Sequence, residues 1–205
     1  MGLTILPSIV KIILAVLTLG GAIEATKTTP IDVMKAYLES YRAGDDTAIA
    51  TMQINDPAWE ITSAGIKNAP ARIALWQAIV ERFGKDEAQE PLLMEVGGRR
   101  FRLPPVPEVA ELEHVQPTIN GEKAEVQVGP LKYKLKKVEG VWKVDMAQKA
   151  PSAKIAREVL DNQRRFHDIA PAFTEDIKAG KFKSANAMRN ALAKAFAAAE
   201  PKAAN

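Results

Sequence analysis

The stretch Asn120 to Met146, NGEKAEVQVGPLKYKLKKVEGVWKVDM, decides the fold. Its apolar and polar residues alternate, the period of half-buried strands. Three turn signals punctuate it: Asn120-Gly121, Gly129-Pro130 and Glu139-Gly140. Each reads as a two-residue hairpin loop. The first loop sets Val115 opposite Val126. The second sets Val126 opposite Tyr133, Ala124 opposite Leu135 and Val128 opposite Leu131. The third sets Leu135 opposite Val144 and Tyr133 opposite Met146. All of these pairs share one face, and a one-residue slip in any loop would scramble them. A four-stranded antiparallel meander follows.

The opposite face collects Gln116, Lys123, Glu125, Gln127, Lys132, Lys134, Lys136, Lys143 and Asp145. Like charges meeting across a two-fold axis would repel, so this face favours a monomer. On the inner face Glu122 and Lys137 oppose each other beside turns and read as rim residues, with Glu113 near the edge. Tyr133 is central, either filling the core or pointing its hydroxyl into a cavity.

Upstream, the period is helical. Thr29-Pro30-Ile31-Asp32 combines a capping residue, a proline suited to the first helical position and an acid in the first turn. Ile31, Met34, Tyr37, Leu38 and Tyr41 form one apolar face, and Gly44 stops the helix. Asp46 is expected to cap a short helix ending at Met52. Asp56-Pro57 is expected to open a longer helical stretch, which Pro70 should split. Beyond it Ile73, Trp76, Val80 and Phe83 make a stripe ended by Gly84. Trp76 and Phe83 read either as helix packing on a sheet or as a ligand-facing aromatic pair. Gly97-Gly98-Arg99-Arg100-Phe101-Arg102 reads either as an anion-binding loop or as a hairpin turn beside a short strand; the turn is favoured because no lysine-serine phosphate signature follows it. Pro104-Pro105-Val106-Pro107 is a stiff connector.

Downstream of Gln148 the alternation stops. Pro151-Ser152 begins a helix carrying Ile155, Val159, Phe166, Ile169 and Phe173, with Pro171 inside it and Gly180 at its end. Ser184 caps a last helix with Met188, Leu192 and Phe196 at spacings of four. His167 reads as a surface or capping histidine.

At the other terminus Lys11 precedes the apolar run Ile12 to Ile23, and small residues follow. That order is the order of a secretory signal peptide, with cleavage placed after Ala25. The alternative is an uncleaved membrane anchor from Leu3 to Ile23, with Lys11 near its middle, where charge is costly. The chain thus divides into residues 1–25 as signal, 26–148 as an α+β domain and 149–205 as a C-terminal helical extension. Export, periplasmic or secreted, would separate the chain from nucleic acid.

Helices leading into a meander with Asn-Gly and Glu-Gly loops resemble the nuclear transport factor 2-like superfamily. The likeness is carried by Pro30 to Asp45 (PIDVMKAYLESYRAGD), by Glu81-Arg82-Phe83-Gly84, and by Asn120 to Met146, including a tryptophan strand after the last hairpin. The resemblance covers roughly Thr29 to Gln148. It implies N-terminal helices leaning on a curved antiparallel sheet to form a cone, here with the helical extension added. Members of that superfamily include ketosteroid isomerases, polyketide cyclases and epoxide hydrolases. Other members only bind ligands, oligomerise or serve assembly.

Composition narrows the chemistry. The 205 residues are 47% hydrophobic and 26% charged, the balance of a globular chain. The absence of cysteine excludes disulfides, thiol catalysis and cysteine-ligated metals. Two histidines, His114 and His167, are too few for a multi-histidine metal site. No catalytic constellation emerges, and no cofactor or metal is expected. The expected function is an exported, non-catalytic domain that binds a small ligand or a protein partner. Tyr133, Trp142, Trp76 and Glu113 are its candidate cavity-lining residues. The alternatives are an isomerase, cyclase or hydrolase acting in the cone, with Tyr133 as hydrogen-bond donor, and a membrane-tethered interaction protein. The net charge of +3 is uneven: residues 149–205 carry 11 Lys+Arg against 6 Asp+Glu, a net of +5.

Overall fold

Thr29 starts the described fold as a capping residue does. Its hydroxyl accepts from the Asp32 N–H at 3.2 Å, and the Asp32 carboxylate accepts from the Thr29 N–H at 2.9 Å. This reciprocal box opens α1 (Pro30–Ala43), which Gly44 closes at φ 75°. The computed structural model describes residues 28–89, 92–96, 99–103, 106–147 and 151–199. The expected signal segment lies outside the described residues. Among these, no helix is long and apolar enough to cross a membrane.

α2 (Asp46–Met52) is capped by Asp45, one residue before the expected Asp46; its carboxylate accepts from the Ala48 N–H at 2.9 Å. The Asp56 carboxylate caps a turn at Ala58 rather than the helix itself, so α3 begins later (Trp59–Lys67). Asn68 and Pro70 divide α3 from α4 (Ala69–Phe83), as Pro70 requires. α5 (Lys85–Gln89) is a short continuation after Gly84.

Seven strands are described. β1 (Gln53–Ile54) precedes α3, and β2 (Leu92–Val96) pairs with β3 (Arg99–Leu103) in an antiparallel hairpin. After a 3-10 turn at Val109–Leu112 come β4 (Thr118–Asn120), β5 (Lys123–Val128), β6 (Leu131–Val138) and β7 (Val141–Asp145). The main sheet runs β1-β7-β6-β5-β4 and is not closed. β4 to β7 form the antiparallel meander; β1 adds to β7 in parallel, making the sheet mixed.

Two of the three expected registers hold, although the recorded β6–β7 pairs stop at Leu135–Val144 and do not reach Tyr133 and Met146. Ala124 faces Leu135, Val126 faces Tyr133 and Val128 faces Leu131, and Leu135 faces Val144. The first loop differs. Asn120 pairs with Lys123, so the turn is Gly121-Glu122, with Gly121 at φ 59°. Val115 lies ahead of the strand and does not face Val126; its N–H donates to the Leu112 carbonyl.

Two hydrophobic cores result. The first lies between the sheet and α1 to α3: Met34, Tyr37, Leu38, Ile49 and Ile66 meet Ala124, Val126, Leu135, Trp142 and Val144. The second core is helical. α6 (Ala153–Lys178) and α7 (Ala185–Ala198), capped by Ser152 and Ser184, pack on α4. Leu75, Trp76, Ala78 and Ile79 meet Phe166, Ala170, Phe173 and Ile177 of α6 and Met188, Leu192 and Phe196 of α7. The stripe expected on α4 therefore turns by about one position: Leu75 and Ile79 are fully covered, while Val80 is 40% exposed.

Candidate functional site

The displaced stripe defines the candidate site. Ile73, Trp76 and Val80 of α4 form one wall of a half-open cleft of about 440 Å³. Val106, Pro107, Val128, Pro130 and Leu131 form the other wall, and Gln77, Glu81, Lys85, Glu108 and Glu111 bring polar groups to it. That volume falls within the range of small-molecule sites. Most large apolar side chains are covered, yet Val80 and Leu131, at 40% and 37% exposure, stand on opposite walls.

The far wall is fixed from behind. Arg42 of α1 donates to the Pro107 carbonyl at 2.9 Å, and its other nitrogen meets the Glu108 carboxylate at 2.9 Å. The Glu108 N–H in turn donates to Glu111 Oε1 at 2.9 Å, closing a capping box on the 3-10 turn. The β5–β6 turn needs Gly129, whose φ is 53°. A Cβ there would also stand 3.1 Å from Glu111 Oε2. Glu111 and the turn thus approach as closely as a glycine allows.

The four residues singled out in the sequence do not converge. Trp76 lines the cleft, with its buried side in the helical core. Tyr133 lies deeper, edge-on to Tyr37 with ring centroids 6.2 Å apart. Burial pushes its phenol up to about 12, helped by neighbouring Tyr41 and the negative charge of Glu111. The Tyr37 phenol is raised chiefly by burial as well. The Tyr41 hydroxyl accepts from the buried Arg72 at 3.0 Å. Trp142 sits in the sheet core, with Lys137 Nζ 5.8 Å from its ring. Glu113 is exposed at the end of the 3-10 turn. Glu122 and Lys137 are exposed at the sheet rim, as expected of charges beside turns.

Sequence reasoning did not find Val80 and Leu131 as cleft residues, nor the part played by Arg42. The stripe Ile73-Trp76-Val80 was the available signal, but its partners come from two distant segments. His167 is exposed, with Nδ1 3.2 Å from Asn68 Oδ1. Among the described residues no group of three or more His, Cys, Asp or Glu side chains stands together as a metal site. The cleft's chemistry is that of an apolar slot with a few carboxylates at its edge, suited to holding an apolar body by burial. No family model, curated protein or solved structure matches the chain.

Proposed function

We propose that this chain is an exported, non-catalytic binding domain of the nuclear transport factor 2-like kind, which holds a small apolar molecule in the cleft between α4 and the β5–β6 turn. One observation carries the reading: Val80 and Leu131 expose apolar surface to each other's side of a 440 Å³ opening whose far wall Arg42 holds in place. Covering such surface contributes about 25 cal/mol per Å². A slot held ready in advance loses little of that gain to ordering. Tyr133 packs against the sheet core, is not among the residues that line this cleft, and so adds no support to chemistry there.

A titration with N-phenylnaphthylamine, followed by probe fluorescence, tests this. The expected result is saturable binding that Val80→Asp weakens at least tenfold with little change in melting temperature, because Val80 is partly exposed. Binding that is unchanged in Val80→Asp would remove the cleft as the site. Export is tested separately by mass spectrometry of the mature N-terminus, expected at Thr26.

A further inference from the structure

The face of the sheet turned away from the helices carries a second feature, independent of the cleft. Lys123 stands directly opposite Lys136, and Lys136 directly opposite Lys143. Three ammonium groups therefore form one row across β5, β6 and β7. Lys123 and Lys136 are exposed and Lys143 is half-buried. Directly opposed like charges destabilise a sheet, and here one lysine opposes two.

The carboxylates on this face are engaged elsewhere. Glu125 binds Lys132 at 2.9 Å, and Asp145 accepts from Asn55 at 3.0 Å and from the Ala147 N–H at 3.1 Å. On the other side of the row Val138 faces Val141, which is 38% exposed. The row thus has an apolar border towards the β6–β7 turn.

We infer that this row is a docking surface for a planar anionic surface, the headgroup layer of a bilayer containing acidic phospholipid. Charge complementarity carries the choice. Lysines are compact point charges without the fork geometry that reads an individual phosphate. Strands β5 to β7 bring no aromatic side chain and no arginine to this face, so nothing here stacks on a base or a sugar ring. Basic residues beside a small apolar pair match an interface of anionic headgroups over hydrocarbon. The row lies beside the β4–β5 and β6–β7 turns. The cleft opens at the β5–β6 turn, the opposite end of the strands, so docking would leave it free.

Each lysine brought near an anionic bilayer multiplies partitioning about fivefold, so three give about a hundredfold. The test is co-sedimentation of the full chain with phosphatidylcholine vesicles, with and without phosphatidylglycerol. The uncharged vesicles set the background of charge-independent binding. Expected is a preference of about a hundredfold for the anionic vesicles, lost in 0.5 M salt on the order of a 4–5 Å screening length. Lys136→Glu changes two charges and should cut that preference about 25-fold. Lys154→Glu, the same change at the exposed start of α6, should leave most of it. Equal losses in the two variants, or no preference in the unaltered chain, would overturn the proposal. A Lys136-dependent affinity for a single-stranded oligonucleotide equal to that for the vesicles would overturn the choice of a bilayer. Lys136→Glu relieves repulsion, so a folded protein is expected for the measurement.

Discussion

Arg42 and Glu108 meet at 2.9 Å, joining the last turn of α1 to the wall of the cleft. The same guanidinium holds the Pro107 carbonyl, so one side chain fixes two consecutive residues. Arg42→Ala is expected to cost about 1–2 kcal/mol, more than a surface ion pair alone, because a hydrogen bond to backbone is lost with it. Urea unfolding measures that cost. Probe affinity should fall as well, and Arg42→Lys should recover only part of both, since an ammonium lacks the fork that spans the two acceptors.

Gly129→Ala tests the close approach of the β5–β6 turn. The substitution places a side chain at φ 53° and 3.1 Å from Glu111 Oε2. A loss of about 1–2 kcal/mol is expected from strain and displacement together. Gly140→Ala, where a Cβ would meet nothing within 4 Å at φ 84°, isolates the backbone part. An equal loss at both positions would show that the Glu111 contact contributes nothing.

Asn68 joins the two halves of the molecule. Its side-chain amide donates to the Gln163 carbonyl and to Gln163 Oε1, both at 2.8 Å, and its Oδ1 meets His167. It is 3% exposed, so Asn68→Ala should cost about 2 kcal/mol. Amide exchange should accelerate in α6 around Gln163 more than in β6. Uniform acceleration would mean that the residue has no local linking role.

Stability should fall in alkali. The Tyr133 phenol is raised from 10.0 to about 12, so the folded state holds its proton more tightly than the unfolded chain. The stability associated with that difference is complete below pH 10 and is lost as pH rises towards 12. Melting temperatures between pH 8.5 and 11.5 should therefore decline, and Tyr133→Phe should flatten the decline. Tyr37 acts in the same direction, so some slope should remain. A slope unaffected by Tyr133→Phe would assign the effect to other groups.

Lys136→Glu is expected to stabilise the fold. It turns two like-charged cross-strand pairs, with Lys123 and Lys143, into opposite-charged ones. The gain should be about 1 kcal/mol, a rise of roughly 2–4 °C in melting temperature, diminishing in high salt. No rise at low salt would show that the three ammonium groups already avoid one another.

The sheet was legible because two independent constraints agreed. The Gly129-Pro130 and Glu139-Gly140 loops each fixed a register, and both registers sorted the same residues inward. The β4–β5 turn escaped because Asn120-Gly121 and Gly121-Glu122 differ by two positions in pairing. A shift of two keeps every side chain on its face, so alternation cannot distinguish them. β1 was invisible, since Gln53–Ile54 is too short to show any period. On α4 the apolar residues reach around more than one face, because the helix meets the second core on one side and the cleft on another. Spacing alone selected Ile73, Trp76, Val80 and Phe83 and passed over Leu75 and Ile79. The cleft itself joins residues 73–85, 106–111 and 128–131, and no local pattern announces a meeting between segments so far apart.

Helix α4 is a shared wall. Among the described residues Leu75, Ala78 and Ile79 share their core with side chains of α6 and α7, while Pro70 at the same helix's start touches α1's terminal Gly44 closely enough to crowd an added Cβ at 3.2 Å. Removing the chain beyond Gln148 would lay bare an oily flank rather than trim an appendage. The two cores should therefore melt in one cooperative transition, and a fragment ending at Gln148 should clump instead of serving as a smaller working protein.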